Sequence, residues 1–265
     1  MQLSCKNTTG SLYWADSVMM RKILIPLLSI LLFFAQFPVR SDTVAVAGGL
    51  FPCVSELADL YNDRVGESPG LVVGSSGKLA SQIAAGAPFG LFISANLEWL
   101  HYLEEKGLVG EIVAFASSPL VLWWSRDRRP DPNVFRGPVR VAIVDPALGP
   151  FGSTARRYLE NLETYAALLK EKRLIVTSTA LQSALAAKSG AADLAFTSMS
   201  VAKKIAADFR SPGSAVVIPG YDLVHAGALI HDRSSAAIEA FWEYLRSEEA
   251  EAVWQRWGFT LEPGE

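Results

Sequence analysis

Residues 74–79, Gly74-Ser75-Ser76-Gly77-Lys78-Leu79, follow a short apolar run at 71–73 and open a helix-like pattern through Leu79, Gln82, Ile83 and Gly86. A Ser-rich, Gly-flanked turn at a helix start aims several backbone N–H groups and two hydroxyls at one spot without any fixed charge. That is the chemistry of a cradle for an oxyanion. Four more strand-to-helix turns share it: Gly48-Gly49, Pro150-Phe151-Gly152-Ser153-Thr154, Ser178-Thr179 and Thr197-Ser198. Among all five, Lys78 is the one basic side chain, and its place after Gly77 suits either an anion or solvent. Ser, Thr and Gly cap helices everywhere, so one such turn says little. Five of them on facing units describe a neutral, donor-rich cleft for a fully ionised anion held by helix dipoles and N–H groups.

Catalytic constellations are thin. His101, His225 and His231 stand in no metal-type spacing and beside no Cys. Asp145 and Asp193 lie at strand ends, where turn formation and capping explain them. No nucleophile motif, phosphate-binding loop of the Walker type or dinucleotide fingerprint occurs. These absences point away from an enzyme and from any bound cofactor.

The turns need a scaffold, and the chain alternates strand and helix patterns throughout. Strand runs fall at 43–47, 71–73, 89–93, 119–124, 139–144, 174–176, 194–197, 215–218 and 223–230. Helical patterns fall between them, as at Val54, Leu57, Ala58 and Tyr61, at 78–85, at 154–162 and at 180–187. Such alternation specifies an α/β fold with a parallel or mixed sheet, and ligands of these sheets sit beyond the carboxyl ends of the strands. The apolar run 119–124 divides the chain, and the simplest topology is two α/β units joined by two crossing segments. Near the end, Ile238, Phe241, Trp242 and Leu245, then Ala250, Val253, Trp254 and Trp257, lie at helical spacing and read as core.

Residues 1–41 read differently. Met20-Arg21-Lys22, the apolar run 23–37 and the small residues before Asp42 have the layout of a secretory signal peptide, with Met20 as the start and 1–18 as an upstream extension. The run is shorter than the roughly 18 to 20 apolar residues that span a bilayer, and Pro26 interrupts it. Cleavage before Asp42 leaves Cys53 as a single thiol and removes Cys5, so no disulfide is expected. Cys53 suits a buried apolar position. A formal net charge of −3 with no basic stripe argues against nucleic acid, and Arg126, Arg128 and Arg129 sit among Asp and Pro in a loop composition.

These residues resemble the molybdate-binding proteins of bacterial ABC importers, within the type II periplasmic binding proteins. The likeness runs from about Thr43 to Phe259, and its best block is 74–80 through Gln82-Ile83, Gly86-Ala87-Pro88-Phe89 and 91–95. Asp145-Pro146, Pro150-Phe151-Gly152, Leu181, Ala184-Leu185, Gly190, Ala192-Asp193 and the closing Phe241, Tyr244-Leu245 and Gly258-Phe259 extend it. The resemblance implies a two-lobed fold, each lobe a mixed sheet flanked by helices, closing on a two-strand hinge. Residues 42–120 with 222–265 would form one lobe and 121–221 the other. It implies a monomeric periplasmic capture protein that takes molybdate or tungstate and delivers it to an ABC permease in the inner membrane.

The contacts so implied are Ser75 and Ser76 in the second turn and Gly48 and Gly49 in the first, where Gly49 replaces a Ser or Asn of the family. Phe151 and Gly152 serve the third turn, Leu181 the fourth, and Ser198 stands where many members have Tyr. Ser76 and Leu181 would touch the oxygens around the molybdenum and would not ligate a metal ion. Because Gly49 and Phe151 reshape the pocket, sulfate, a phosphonate or a small organic anion on the same fold is the alternative. A ligand-sensing module that signals to a membrane receptor is another.

Overall fold

The fold is known from a computed structural model, and the structure describes residues 41–124, 133–209 and 214–261. In chain order the elements are β1 (Thr43–Ala47), α1 (Phe51–Val65), β2 (Gly70–Gly74), α2 (Ser76–Ala84), β3 (Leu91–Ser94), α3 (Glu98–Glu104) and β4 (Val113–Trp124). Then follow β5 (Val141–Val144), α4 (Pro150–Asn161), α5 (Tyr165–Lys170), β6 (Leu174–Thr177), α6 (Ala180–Lys188), β7 (Leu194–Ser198) and α7 (Met199–Phe209). The last elements are β8 (Ser214–Leu229), α8 (Ala236–Leu245), α9 (Glu248–Trp257) and the short β9 (Thr260–Leu261).

The strands form one sheet in the order β2-β1-β3-β8-β4-β7-β5-β6, with β9 paired to β4. The order reads the same from either edge. β1 lies parallel between β2 and β3, and β5 lies parallel between β6 and β7. Each triplet then meets one long antiparallel strand, β3 meeting β8 and β7 meeting β4. β4 and β8 pair with each other along most of their length, with register shifts between Ala114/Ala116 and Pro119/Val121. They are the two segments that cross from one half to the other, so the chain has the two-lobed type II arrangement with a two-strand hinge.

Local sequence accounts for these elements. β3 (LFIS) and β5 (VAIV) are buried at every position, as parallel strands covered on both faces require. α1 has Pro52 in its first turn, where a missing N–H costs nothing, and stops at Gly66 with φ 85°. α8 and α9 turn Ile238, Phe241, Trp242, Leu245, Val253 and Trp254 into the core, and Trp254 donates its ring N–H to the Leu245 carbonyl at 2.8 Å. Cys53 is buried and free, and burial drives its thiol pKa up, as a packing residue rather than a reactive one.

Several boundaries differ from the sequence reading, among them the starts of β3, at Leu91 and not 89, and of β5, at Val141 and not 139. α2 starts at Ser76 and not at 78, and α4 starts at Pro150 and not at 154, because Gly- and Pro-bearing turns supply the first helical residues themselves. β4 begins at Val113, and β8 is one strand instead of the two runs 215–218 and 223–230. Between those two runs Gly220 adopts φ 77° and carries the strand through as a bulge, where the register against β4 shifts. The Arg126–Arg129 loop, Cys5 and the whole leader reading lie outside the described residues. Among the described residues no helix is long and apolar enough to cross a membrane.

Candidate functional site

The carboxyl ends of five parallel strands converge on one cleft. It is lined on one side by Ala47, Gly48, Gly49, Gly74, Ser75, Ser76 and Ala95, after β1, β2 and β3, and on the other by Val144, Gly149, Pro150, Phe151, Thr179 and Ala180, after β5 and β6. The free volume is about 10 Å³, room for about one water molecule. No lining residue carries a charge.

The donors come from helix starts. Ser76 opens α2, Phe151 is the second residue of α4, and Ala180 and Leu181 open α6. Within the described residues none of these four N–H groups, nor that of Gly49, has a partner outside its own helix, as expected of first-turn amides. Gly152 differs, since its N–H already bonds the Gly149 carbonyl at 2.8 Å. Ser76 is wholly buried, and its Oγ accepts the Ala95 N–H at 3.1 Å. That bond leaves the hydroxyl proton to donate. Thr179 caps α6 by accepting the Gln182 N–H at 3.2 Å. Three helix dipoles therefore present their positive ends to a neutral pocket, which suits an anion and offers it no counter-charge.

The two halves touch across the cleft. Gly77 N–H donates to the Leu148 carbonyl at 2.8 Å, and the Ser200 hydroxyl donates to the Gly49 carbonyl. A Cβ on Gly48 would meet Cβ of Thr179 at 3.1 Å, inside the distance at which carbons rest, so a side chain there would have to push the cap of α6 back by a few tenths of an ångström.

Of the residues singled out from sequence, Gly48, Gly49, Ser75, Ser76 and Phe151 line the cleft. Gly152 sits behind it, where a Cβ would lie 2.1 Å from the Val144 carbonyl oxygen. Leu181 is half-buried one residue beyond the lining Ala180. Ser198 is buried, bonds Ser200 Oγ at 3.0 Å and accepts the Val201 N–H at 3.2 Å, so it reaches Gly49 only through Ser200. Lys78 is exposed and off the wall. Pro150 and Thr179, which stood in two of the five turns, also line the cleft, and Ala47, Ala95, Val144, Gly149 and Ala180 are lining residues that the sequence did not single out for the site.

The acidic candidates prove structural: Asp145 Oδ1 accepts the Ala147 N–H at 3.0 Å, and Asp193 Oδ2 accepts the Arg140 N–H at 2.8 Å. Among the described residues no group of His, Cys, Asp and Glu could hold a metal ion. His225 is wholly buried on β8, with Nε2 2.7 Å from Ser118 Oγ and Nδ1 without a hydrogen bond of good geometry. Burial pushes its pKa down to about 3, outweighing the opposing effect of the Ala95 backbone, and it is neutral at pH 7.

Fold and cleft together define a solute-binding protein, and the chain belongs to the bacterial extracellular solute-binding proteins, whose family model matches residues 43–260. Among individual relatives, it is 27% identical over 227 residues to the molybdate-binding protein ModA of Rhodobacter capsulatus, covering 82% of this chain and 87% of that one. It is 26% identical over 236 residues to ModA of Escherichia coli, covering 83% and 88%. The solved periplasmic molybdate-binding protein of Azotobacter vinelandii superposes with a TM-score of 0.77 at 26% identity, over 83% of this chain and 99% of that one.

Proposed function

We infer that this protein is the periplasmic solute-binding component of an ABC importer and captures molybdate or tungstate. The observation that carries the reading is the uncharged cleft at the strand ends, where Ser76 and the first turns of α2, α4 and α6 converge from both halves of the sheet. The names of the relatives support the ligand. Residues 42–120 with 222–265 and residues 121–221 act as the two lobes, and β4 and β8 flex between them. The ion enters when the lobes part, which breaks the Gly77–Leu148 bond, and closure then surrounds it with donors.

Selectivity follows from what the walls offer. A protonated oxyanion such as hydrogen phosphate needs an acceptor for its own hydrogen, and no carboxylate lines the cleft. Sulfate pairs as well as molybdate does and is rejected by size. The wall carries no acid–base pair, which supports capture over catalysis. A leader over residues 1–41, cleaved before Asp42, delivers the chain to the periplasm, where it works as a monomer and hands the ion to an inner-membrane permease.

A thermal-shift titration of residues 42–265 with molybdate, tungstate, sulfate and phosphate at equal concentration tests this. A ligand at 100 times its Kd adds roughly 2.7 kcal/mol of stability. Shifts with molybdate and tungstate well above the other two are expected; a larger shift with phosphate, or none with any ion, would overturn the reading.

A further inference from the structure

The ring of Phe151 occupies the room that a side chain at position 49 would need. A Cβ on Gly49 would lie 2.2 Å from Cε2 and 2.9 Å from both Cδ2 and Cζ of that ring, far inside the roughly 3.5–4.0 Å at which carbons rest. The ring is not free to swing aside. It is 3% exposed, and its centroid lies 6.2 Å from that of His225, tilted by 30°. His225 is pinned in turn, held by Ser118 through Nε2 and packed edge-on against Phe259 at 5.3 Å. A stack of rings thus runs from the central strands to the cleft wall, and it ends where the first turn passes. Gly49 and Phe151 are two parts of one solution, since the bare backbone at 49 is what admits the ring.

That ring gives the site a blind, apolar end. A bare tetrahedral ion needs only room for its oxygens among the donors of Ser76, Phe151 and Ala180. An anion bearing an organic substituent must also place a carbon chain, and the wall nearest the first turn is filled by the phenyl group. We propose that Phe151 is a specificity-determining residue, a plug that restricts the cleft to bare inorganic oxyanions and excludes phosphonates and phosphate monoesters. The proposal rests on the oxyanion reading above and assigns the exclusion to one side chain.

Calorimetric titration of the wild type, Phe151→Ala and Phe151→Leu with molybdate, methylphosphonate and phosphoglycolate tests it. The affinity for phosphoglycolate relative to molybdate should rise about tenfold or more in Phe151→Ala, with Phe151→Leu between. An unchanged ratio in the folded variants, or a wild type that binds phosphoglycolate as tightly as molybdate, overturns the plug while leaving oxyanion capture standing. A wild type that binds no molybdate overturns the capture reading instead. The plug is then judged by whether either variant gains phosphoglycolate binding that the wild type lacks, gain supporting it and no gain overturning it. If Phe151→Ala does not fold, Phe151→Leu carries the same comparison. Gly49→Ala should lower the melting temperature and Gly49→Ala with Phe151→Ala should lower it by less than the two separate losses combined; strictly additive losses contradict the coupling.

Discussion

Ser76 does two things with one hydroxyl: its oxygen accepts the Ala95 N–H, which fixes the rotamer, and its proton is left for the ligand. Ser76→Ala should therefore weaken molybdate binding by about 1.5–3 kcal/mol, the value of a bond to a charged partner, with little change in the far-ultraviolet circular dichroism. Calorimetry reads this directly, and an unchanged Kd would remove Ser76 from the site. His225 predicts a pH dependence. Its folded pKa, about 3, lies below the ordinary 6.5, so the unfolded chain binds the extra proton between those values and stability falls as pH drops through that window. The slope from this group approaches roughly 1.4 kcal/mol per pH unit, and His225→Gln should remove that share of it in denaturant titrations from pH 7 to 4. Ser76 was legible because a Ser-rich turn before a helix has one obvious use. His225 was not, since a lone His in an apolar run shows nothing of the Ser118 and Phe151 partners that the sheet brings to it.

Helix α4 is set by its first turn as much as by its apolar face. Gly149 and Gly152 press against β5, and a Cβ on Gly152 would lie 2.1 Å from the Val144 carbonyl oxygen, a backbone atom that cannot step aside. Gly152→Ala should cost about 1–3 kcal/mol or more of stability, measured by urea unfolding, and should tilt the Phe151 N–H away from the cleft. The alternation of strand and helix was readable along the whole chain because parallel strands buried on both faces write continuous apolar runs. The extents of β4 and β8 were not, since a bulge at Gly220 and a register shift after Pro119 depend on the partner strand and leave turn-like signals locally. Thr179 shows the same division. Its role as a helix cap is local and legible, whereas its approach to Gly48 belongs to the closed cleft.

At the scale of the whole molecule, the mirror order of the sheet puts the carboxyl ends of two parallel triplets opposite each other, and every donor in the site comes from one or other of those ends. Closure is tight enough that glycine is required at the seam. A Cβ on Gly77 would lie 2.5 Å from the Trp99 ring and 2.9 Å from the Leu148 carbonyl oxygen. Gly77→Ala should therefore hold the halves apart, giving a larger radius of gyration by small-angle X-ray scattering and weaker binding, whereas an unchanged radius would mean that the seam tolerates a methyl group. The central claim is that one bare oxyanion sits among these helix starts. The most direct measurement is an anomalous-difference map at the molybdenum edge from crystals of residues 42–265 grown with molybdate. One peak within hydrogen-bonding range of Ser76 Oγ and the Phe151 and Ala180 amides is predicted; a map with no peak in the cleft, or with peaks only on surface lysines and arginines, would contradict the account.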